Sequence, residues 1–188
     1  MGERDCGPGS PHQTGGSRSG ILKIYSNEKA AGHGIHIHHD AGFTDGGTTL
    51  RFRLPGLNKG ESCIVGHVDR ELKSVHAGHL CYAYLNPTNI MLRDSKTGIH
   101  DLKVQARRAE FLKRKEKLPP DLDAFLQTKQ KVVSWKADNE WHELTLVFEG
   151  DEMRLSVDGK VLVTHRSELR PSHETVAELW SNQHPVDR

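Results

Sequence analysis

The sequence predicts an all-β sandwich with one short helical insertion. Two observations carry this prediction: short runs of alternating apolar and polar residues follow one another along the chain, and turn-forming residues separate them. A period of two places every second side chain on one sheet face, whereas a helix would repeat every three to four residues. The predicted strands are 21–25, 34–38, 48–54, 63–68, 79–85 and 89–93, followed by three more within 141–163.

The strand that begins at Trp141 shows the clearest alternation. Leu144, Leu146 and Phe148 share one of its faces, which we expect to point into the core. We also expect Trp141 to be a buried anchor, so that its replacement by alanine would cost about 3 to 5 kcal/mol.

Turns and one helix complete the predicted elements. Residues 149–151 turn the chain, and Asp158-Gly159 is a signal for a type I′ hairpin. A short covering helix is predicted over 119–131, because two prolines can start it and apolar residues then recur at helical spacing. The preceding segment 103–117 carries seven Lys and Arg against two Glu, which favours a solvated surface loop or helix over a polyanion-binding patch in a neutral chain.

Composition limits the function classes. A chain of 188 residues suits one domain, and a net charge of +1 does not favour a dedicated nucleic-acid binder. Three cysteines without a CxxC motif allow at most one disulfide, Cys63 to Cys81, and argue against a structural zinc site. The sequence shows no apolar run long enough for a membrane span and no signal peptide, so we expect a cytoplasmic chain as written, or a periplasmic or extracellular one if the N-terminus is incomplete.

Four segments resemble known β-sandwiches. Residues 140–146 (EWHELTL) and 150–160 (GDEMRLSVDGK) resemble the late meander of laminin-G-like and concanavalin A-like lectin/glucanase domains. Residues 40–46 (DAGFTDG) and 76–81 (HAGHLC) are similar to bacterial jelly rolls near the 3-keto-disaccharide hydrolase group. The resemblance implies a concanavalin A-like jelly-roll sandwich, but no single activity, because such sandwiches host lectins, hydrolases, lyases and adhesion modules.

The resemblance divides the chain into three parts. Residues 1–20 hold six Gly, two Pro and three Ser, which predicts a disordered arm, and 21–168 form the jelly-roll domain. The tail 169–188 is atypical: where the family has Ala-His-Pro-Thr and a last apolar strand, this chain has LRPSHET at 169–175. Either a shifted reading frame or true divergence explains this, and we expect the tail not to form a regular central strand.

A cluster of histidines on the second predicted strand is the first candidate site. His36 and His38 project to one face, so two imidazoles could meet a metal or a sugar there, or simply face solvent. His67, His76 or His79 could supply a third ligand. No cofactor is predicted, and the metal stays undetermined.

Cations, carboxylates and aromatic rings of the central strands form the second candidate site, because sugars offer hydroxyls and apolar ring faces. With the two strand histidines, the predicted ligand-binding residues are His36, His38, Arg51, Arg53, Asp69, Lys73, His76, His79 and Tyr82. Arg70 and Tyr84 lie in the same segments, and the tyrosines could equally pack in the core.

The catalytic carboxylate motif of the glucanases, E-x-D-x-x-E, is absent from the sequence. The nearest string to E-x-D-x-x-E is 149–152, which falls in a predicted turn and lacks the final Glu. A carbohydrate-binding, lectin-like module is therefore the leading hypothesis. The alternatives are a glycoside-cleaving enzyme with a His/Asp site, similar to the 3-keto-glycoside hydrolases, and an adhesion module without a small ligand.

Overall fold

The computed structural model describes residues 14–18, 21–25, 35–55, 57–168, 171 and 173–181. The described residues form twelve β-strands and two α-helices. The strands are β1 (Thr14–Arg18), β2 (Ile21–Tyr25), β3 (Ile35–Asp40), β4 (Gly46–Phe52), β5 (Cys63–Val68), β6 (His79–Leu85), β7 (Asn89–Asp94), β8 (Gln130–Ser134), β9 (His142–Glu149), β10 (Glu152–Val157), β11 (Lys160–Arg166) and β12 (Val176–Ser181). The helices are α1 (Leu102–Lys113) and α2 (Pro120–Thr128).

Two antiparallel sheets pack against each other, which confirms the predicted jelly-roll sandwich. The larger sheet has six strands in the order β3-β12-β5-β6-β7-β8, and the smaller has four in the order β11-β10-β9-β4. Strands β1 and β2 pair only with each other.

The core lies between the two sheets. Every second residue of β9 and β10 is buried, as the alternation predicted, and alternate residues of β5, β6 and β7 meet them from the larger sheet. The most completely buried core residues of the two sheets are Cys81, Ala83, Leu85, Ile90, Leu92, Leu144, Leu146, Phe148, Met153 and Leu155. Cys63 and Cys81 are both free thiols, since β5 and β6 pair them with Leu85 and His67 rather than with each other.

The predicted turns of the meander are present. Residues 150 and 151 turn the chain between β9 and β10. Asp158 and Gly159 both have positive φ, 51° and 73°, as a type I′ hairpin between β10 and β11 requires.

The helical insertion is single, as predicted, but it holds two helices between β7 and β8. Helix α2 matches the prediction, and α1 occupies the segment predicted as a solvated surface loop or helix. Asp101 caps α1 by accepting hydrogen bonds from the backbone N–H groups of Lys103 and Val104, and α1 has no buried residue. Sequence periodicity did not decide between loop and helix here, because a helix without buried residues shows only a weak apolar stripe. Among the described residues, no helix is long and apolar enough to cross a membrane.

The prediction that the tail forms no regular central strand is wrong. Strand β12 (Val176–Ser181) lies in the interior of the larger sheet and pairs with β3 on one side and β5 on the other. Ala177 is buried and Leu179 packs against the core, so this strand alternates like the others. A buried acid, Glu178, interrupts the apolar pattern and hid the strand from sequence reading.

The structure also bears on the predicted tryptophan anchor and on the predicted N-terminal arm. Trp141 is not a buried anchor but is 42% exposed, because the inward residues of β9 are even-numbered and position 141 points outward. Trp135 instead packs against the core beside Phe52. Within the predicted disordered arm 1–20, residues 14–18 form β1, and 1–13, 19 and 20 lie outside the described residues.

Candidate functional site

The larger sheet has one face that points away from the smaller sheet, and we call it the histidine face. Val65, Cys81 and Ala83 point into the core, so their neighbours along β5 and β6 point outward. The register then aligns one level of side chains across the strands: His38, Glu178, Gly66, Tyr82, Arg93 and Gln130. The next level holds His36, Trp180, Ile64, Tyr84, Met91 and Val132.

Glu178 is the centre of the histidine face and is only 4% exposed. Its Oε1 lies 2.9 Å from His36 Nδ1 and 3.0 Å from His38 Nε2. Its Oε2 accepts a hydrogen bond of 2.5 Å from the Tyr82 hydroxyl and lies 3.7 Å from His79 Nδ1. One carboxylate thus joins side chains from β3, β6 and β12, which are far apart in sequence.

The position of Tyr82 depends on Gly66. A Cβ on Gly66 would lie 2.2 Å from Tyr82 Cδ1 and 2.5 Å from the backbone oxygen of Cys81. Only glycine on β5 therefore lets the phenol ring lie flat enough to reach Glu178 on the far side. Tyr82 Oη also contacts His79 Nδ1.

Electrostatics fix the protonation of this group at neutral pH. Burial raises the pKa of Glu178, but hydrogen bonds from Tyr82, His36 and His38 outweigh it and hold that pKa at about 2. Burial and the neighbouring carboxylate raise the pKa of Tyr82 far above its usual range, so the phenol stays a donor. Glu178 is therefore an ionised acceptor with a fixed donor.

A second group of imidazoles borders the first. The rings of His79 and His100 lie 4.5 Å apart, and His76 stacks on His100 at 5.9 Å. Burial lowers the pKa of His79 despite the attraction of Glu178, and burial with the nearby His79 and His76 lowers the pKa of His100 to about 3. Both rings are neutral near pH 7.

Aromatic rings flank the carboxylate at the next level of the face. His36 stacks on Trp180 with ring centroids 5.1 Å apart and an interplanar angle of 6°. On the other side, the Arg93 guanidinium lies 5.1 Å from the centre of the Tyr84 ring. Trp180 and Tyr84 are both partly exposed.

The structure brings four predicted site residues together and places a fifth beside them. His36, His38, His79 and Tyr82 surround Glu178, and His76 borders His79. His67 is not a third ligand, because it faces the core, where Thr48 Oγ1 lies 2.9 Å from its Nε2.

Arg51 and Arg53 do not join the histidine face. Phe52 between them is buried in the core, so both guanidinium groups lie on the outer face of the smaller sheet. There they lie 6.0 Å and 5.6 Å from the centre of the exposed Trp141 ring. We call this surface, defined by Arg51, Arg53 and Trp141, the arginine face.

Asp69 and Lys73 also lie apart from Glu178. Asp69 is fully buried and accepts hydrogen bonds from the backbone N–H groups of Glu71, Leu72 and His173, at 3.0, 3.2 and 3.1 Å. It ties the loop after β5 to the segment before β12. Lys73 is exposed, and its Nζ donates to the carbonyl oxygen of Arg70.

Sequence reasoning missed Glu178, Trp180 and Arg93. The first two lie in the tail that was predicted not to form a strand, and Arg93 was read only as the end of a strand. The tail does contain one usable signal: in Val176–Ser181, small and apolar residues alternate with Glu178 and Trp180. That pattern is typical of a strand with one functional face.

The site also offers a set of metal ligands. His36, His38 and Glu178 each present one donor atom, and the three atoms lie within 4.8 Å of one another. Two imidazole nitrogens and a carboxylate oxygen suit a first-row divalent cation.

Comparison with known proteins gives structural similarity only. No family model and no curated protein matches the sequence. Among solved structures, sheep galectin-11 in complex with glycerol has a TM-score of 0.49 at 8% identity, with 81% of this chain and 93% of that one covered. The carbohydrate-binding module CBM66 from Bacillus subtilis has a TM-score of 0.49 at 11% identity, covering 90% and 84%. The laminarinase from Rhodothermus marinus has a TM-score of 0.49 at 12% identity, and the alignment covers 78% of this chain and 57% of that enzyme.

Proposed function

We propose that this protein binds carbohydrate on the histidine face. The observation that carries the proposal is the buried Glu178 carboxylate, surrounded by polar rings and flanked by aromatic side chains on one open sheet face. Saccharides present hydroxyl groups that need both donors and acceptors, and apolar ring faces that pack on aromatic rings. All of these partners are present within two levels of one sheet.

The polar part of the site is preorganised. The Tyr82 hydroxyl fixes the Glu178 carboxylate by donating a hydrogen bond to Oε2, so the carboxylate does not have to reorient when a ligand hydroxyl approaches. The side chains of His36 and His38 are 32% and 42% exposed, which leaves imidazole edges for a ligand. A site that loses little side-chain freedom on binding gains affinity from each hydrogen bond.

The aromatic part is held in place as well. Trp180 is stacked by His36, and Tyr84 is covered by Arg93. Both rings are partly exposed and lie on either side of Ile64 at one level of the sheet. This spacing suits a flat sugar ring or a short oligosaccharide lying across the strands.

A glycan array with wild-type protein tests the proposal, with and without EDTA. We expect binding to defined glycans, its loss in Trp180→Ala and its weakening in Glu178→Gln. Trp141→Ala is the matched control, because it removes an exposed tryptophan beside arginines on the other sheet. Binding that survives Trp180→Ala but is lost in Trp141→Ala would overturn the assignment.

Glycoside cleavage is a second candidate function, and one observation favours it. His79 is held neutral next to Tyr82 and Glu178, so an imidazole base and a carboxylate lie within reach of one ligand. In this function Glu178 would supply the carboxylate, because the buried Asp69 carboxylate is occupied by backbone N–H groups. Release of free sugar from 3-keto-glycosides by wild type, and its absence in His79→Gln, would favour this enzyme over a binding module.

A further inference from the structure

We propose that His36, His38 and Glu178 form a binding site for one divalent transition-metal ion, with zinc as the representative ion. Their donor atoms are His36 Nδ1, His38 Nε2 and Glu178 Oε1. Among the described residues, this is the one group of three metal-ligating side chains whose donor atoms converge. Metal binding here does not depend on glycan binding.

The distances between the donor atoms fit a shared ion. Oε1 lies 2.9 Å and 3.0 Å from the two imidazole nitrogens. Ligands about 2.0 to 2.2 Å from a tetrahedral zinc ion lie roughly 3.3 Å from one another, so small side-chain movements would admit the ion. The cation would take the place of the protons that now join the carboxylate oxygen to the two rings.

The strand register makes the ligand set rigid. His36 and His38 are two residues apart on β3, so they share a face, and Glu178 lies directly opposite His38 on β12. Trp180 stacks on His36 and fixes the orientation of its ring. Ligands on neighbouring strands of one sheet are held more firmly than ligands on loops.

A second layer of contacts supports the carboxylate. Tyr82 donates to Oε2, the oxygen that does not face the histidines, and thereby directs Oε1 toward them. Hydrogen bonds of this kind are the usual support of a metal-binding carboxylate.

The donor types select the ion, and the exposure leaves room for an external ligand. Imidazole nitrogens favour zinc and its first-row neighbours over calcium and magnesium, which prefer oxygen donors. Three protein ligands leave at least one coordination position, and the partly exposed histidines place it toward solvent. The site therefore resembles metal centres that bind an exchangeable ligand rather than closed structural ones.

Titration of the chelator-treated, full-length protein tests the proposal. Zn²⁺ binding is followed by calorimetry, and Co²⁺ binding by the visible absorption that reports its coordination. We expect one tight equivalent in wild type and its loss in Glu178→Gln and in the double variant His36→Ala/His38→Ala. Tyr82→Phe should weaken binding about 10- to 100-fold, as the loss of a supporting hydrogen bond does.

Controls separate this site from the other histidines. His39→Ala removes an exposed imidazole from the same strand, and His142→Ala removes an imidazole from the smaller sheet. Both should bind zinc like wild type. If the double variant does not fold by circular dichroism, His36→Gln and His38→Gln replace it.

Two results would overturn the proposal. The first is wild-type protein that binds no Zn²⁺ or Co²⁺ at micromolar concentration. The second is a tight equivalent that Glu178→Gln and the histidine variants retain. Failure to bind any glycan, with the expected metal pattern intact, would count against the proposed function alone.

Discussion

The two outer faces of the sandwich carry similar residues but have different physical character. The arginine face sets Arg51 and Arg53 around an exposed Trp141, and the histidine face sets imidazoles and Arg93 around Trp180, Tyr82 and Tyr84. Of the two faces as far as the structure describes them, only the histidine face contains a buried charge, Glu178, with partners on both carboxylate oxygens. Burying a charge is unfavourable unless hydrogen bonds compensate for its lost hydration, whereas solvated surface contacts change the free energy of folding little.

His142 titrates in the opposite direction to the buried imidazoles beside the histidine face. On the smaller sheet, hydrogen bonds to Asp138 and Asp158, at 2.9 and 2.7 Å, raise the pKa of His142. Beside the histidine face, burial lowers the pKa of His79 and His100. Hydrogen-bonded carboxylates therefore decide the direction at His142, and burial decides it at His79 and His100.

The largest effect is expected from Gly66→Ala. The added Cβ would overlap the Tyr82 ring and a backbone oxygen, so either β5 or the phenol must move. We expect a loss of about 3 kcal/mol in unfolding free energy, measured by urea denaturation, together with loss of ligand binding.

Gly150→Ala is the control for this effect. Gly150 has φ of 56° but open space around a Cβ. Alanine there should lower the unfolding free energy only by the strain of a left-handed backbone, about 1 kcal/mol. Equal losses in both variants would mean that Tyr82 does not need the space above Gly66.

Glu178→Gln is expected to have the next largest effect on stability. The amide keeps the shape but loses the charge that Tyr82 and the imidazoles bond, which should cost about 1 to 2 kcal/mol near neutral pH. Because the folded-state pKa of Glu178 lies near 2, below its unfolded value, its stabilising contribution is present above about pH 4.5 and is lost toward pH 2. The difference between variant and wild type should therefore shrink in acid.

Acid should also destabilise the larger sheet through His100. Its folded-state pKa of about 3 lies below the usual value near 6.5, so the unfolded chain binds more protons between these values and stability falls as pH falls below 6.5. His100→Gln should remove about 2 kcal/mol of the difference in stability between pH 7 and pH 5. An unchanged pH profile would show that His100 is not buried as a neutral ring.

The fold was predictable because its signals are local. Alternation in β9 and β10 and the Asp158-Gly159 turn are written into neighbouring residues, and all of them are present in the structure. The helical state of α1 and the outward position of Trp141 were not decided by the sequence, because the first shows only a weak apolar stripe and the second depends on which parity of β9 faces the core.

The site was only half predictable because it is assembled across the sheet. The spacing of His36 and His38 gave their common face, but their partner Glu178 lies 140 residues beyond His38. No local pattern pairs β3 with β12. Arg51 and Asp69 have suitable chemistry but lie away from Glu178, a separation that only the sheet arrangement decides.

Trp141→Ala is expected to have a small effect on stability. An exposed indole with two nearby arginines contributes less than about 1 kcal/mol, compared with the 3 to 5 kcal/mol of a buried one. Thermal unfolding of Trp141→Ala and Trp135→Ala in parallel checks this, since Trp135 packs against the core and should cost more. A larger loss in Trp141→Ala would restore the anchor role that the sequence suggested.

His142→Gln should give the smallest change, and its pH dependence should be opposite to that of the larger sheet. Because the folded-state pKa of His142 is raised above 6.5, its stabilising contribution is fully present below that pH and is lost as pH rises through the folded value. The two aspartates are about half exposed, so solvent screens the pairs and the contribution stays below about 1 kcal/mol. Urea midpoints should differ between variant and wild type at pH 6 and converge by pH 9, and salt should reduce the difference at pH 6. A difference in urea midpoint that grows with pH would contradict a raised pKa for His142. It would also remove the contrast between His142 and the buried His100.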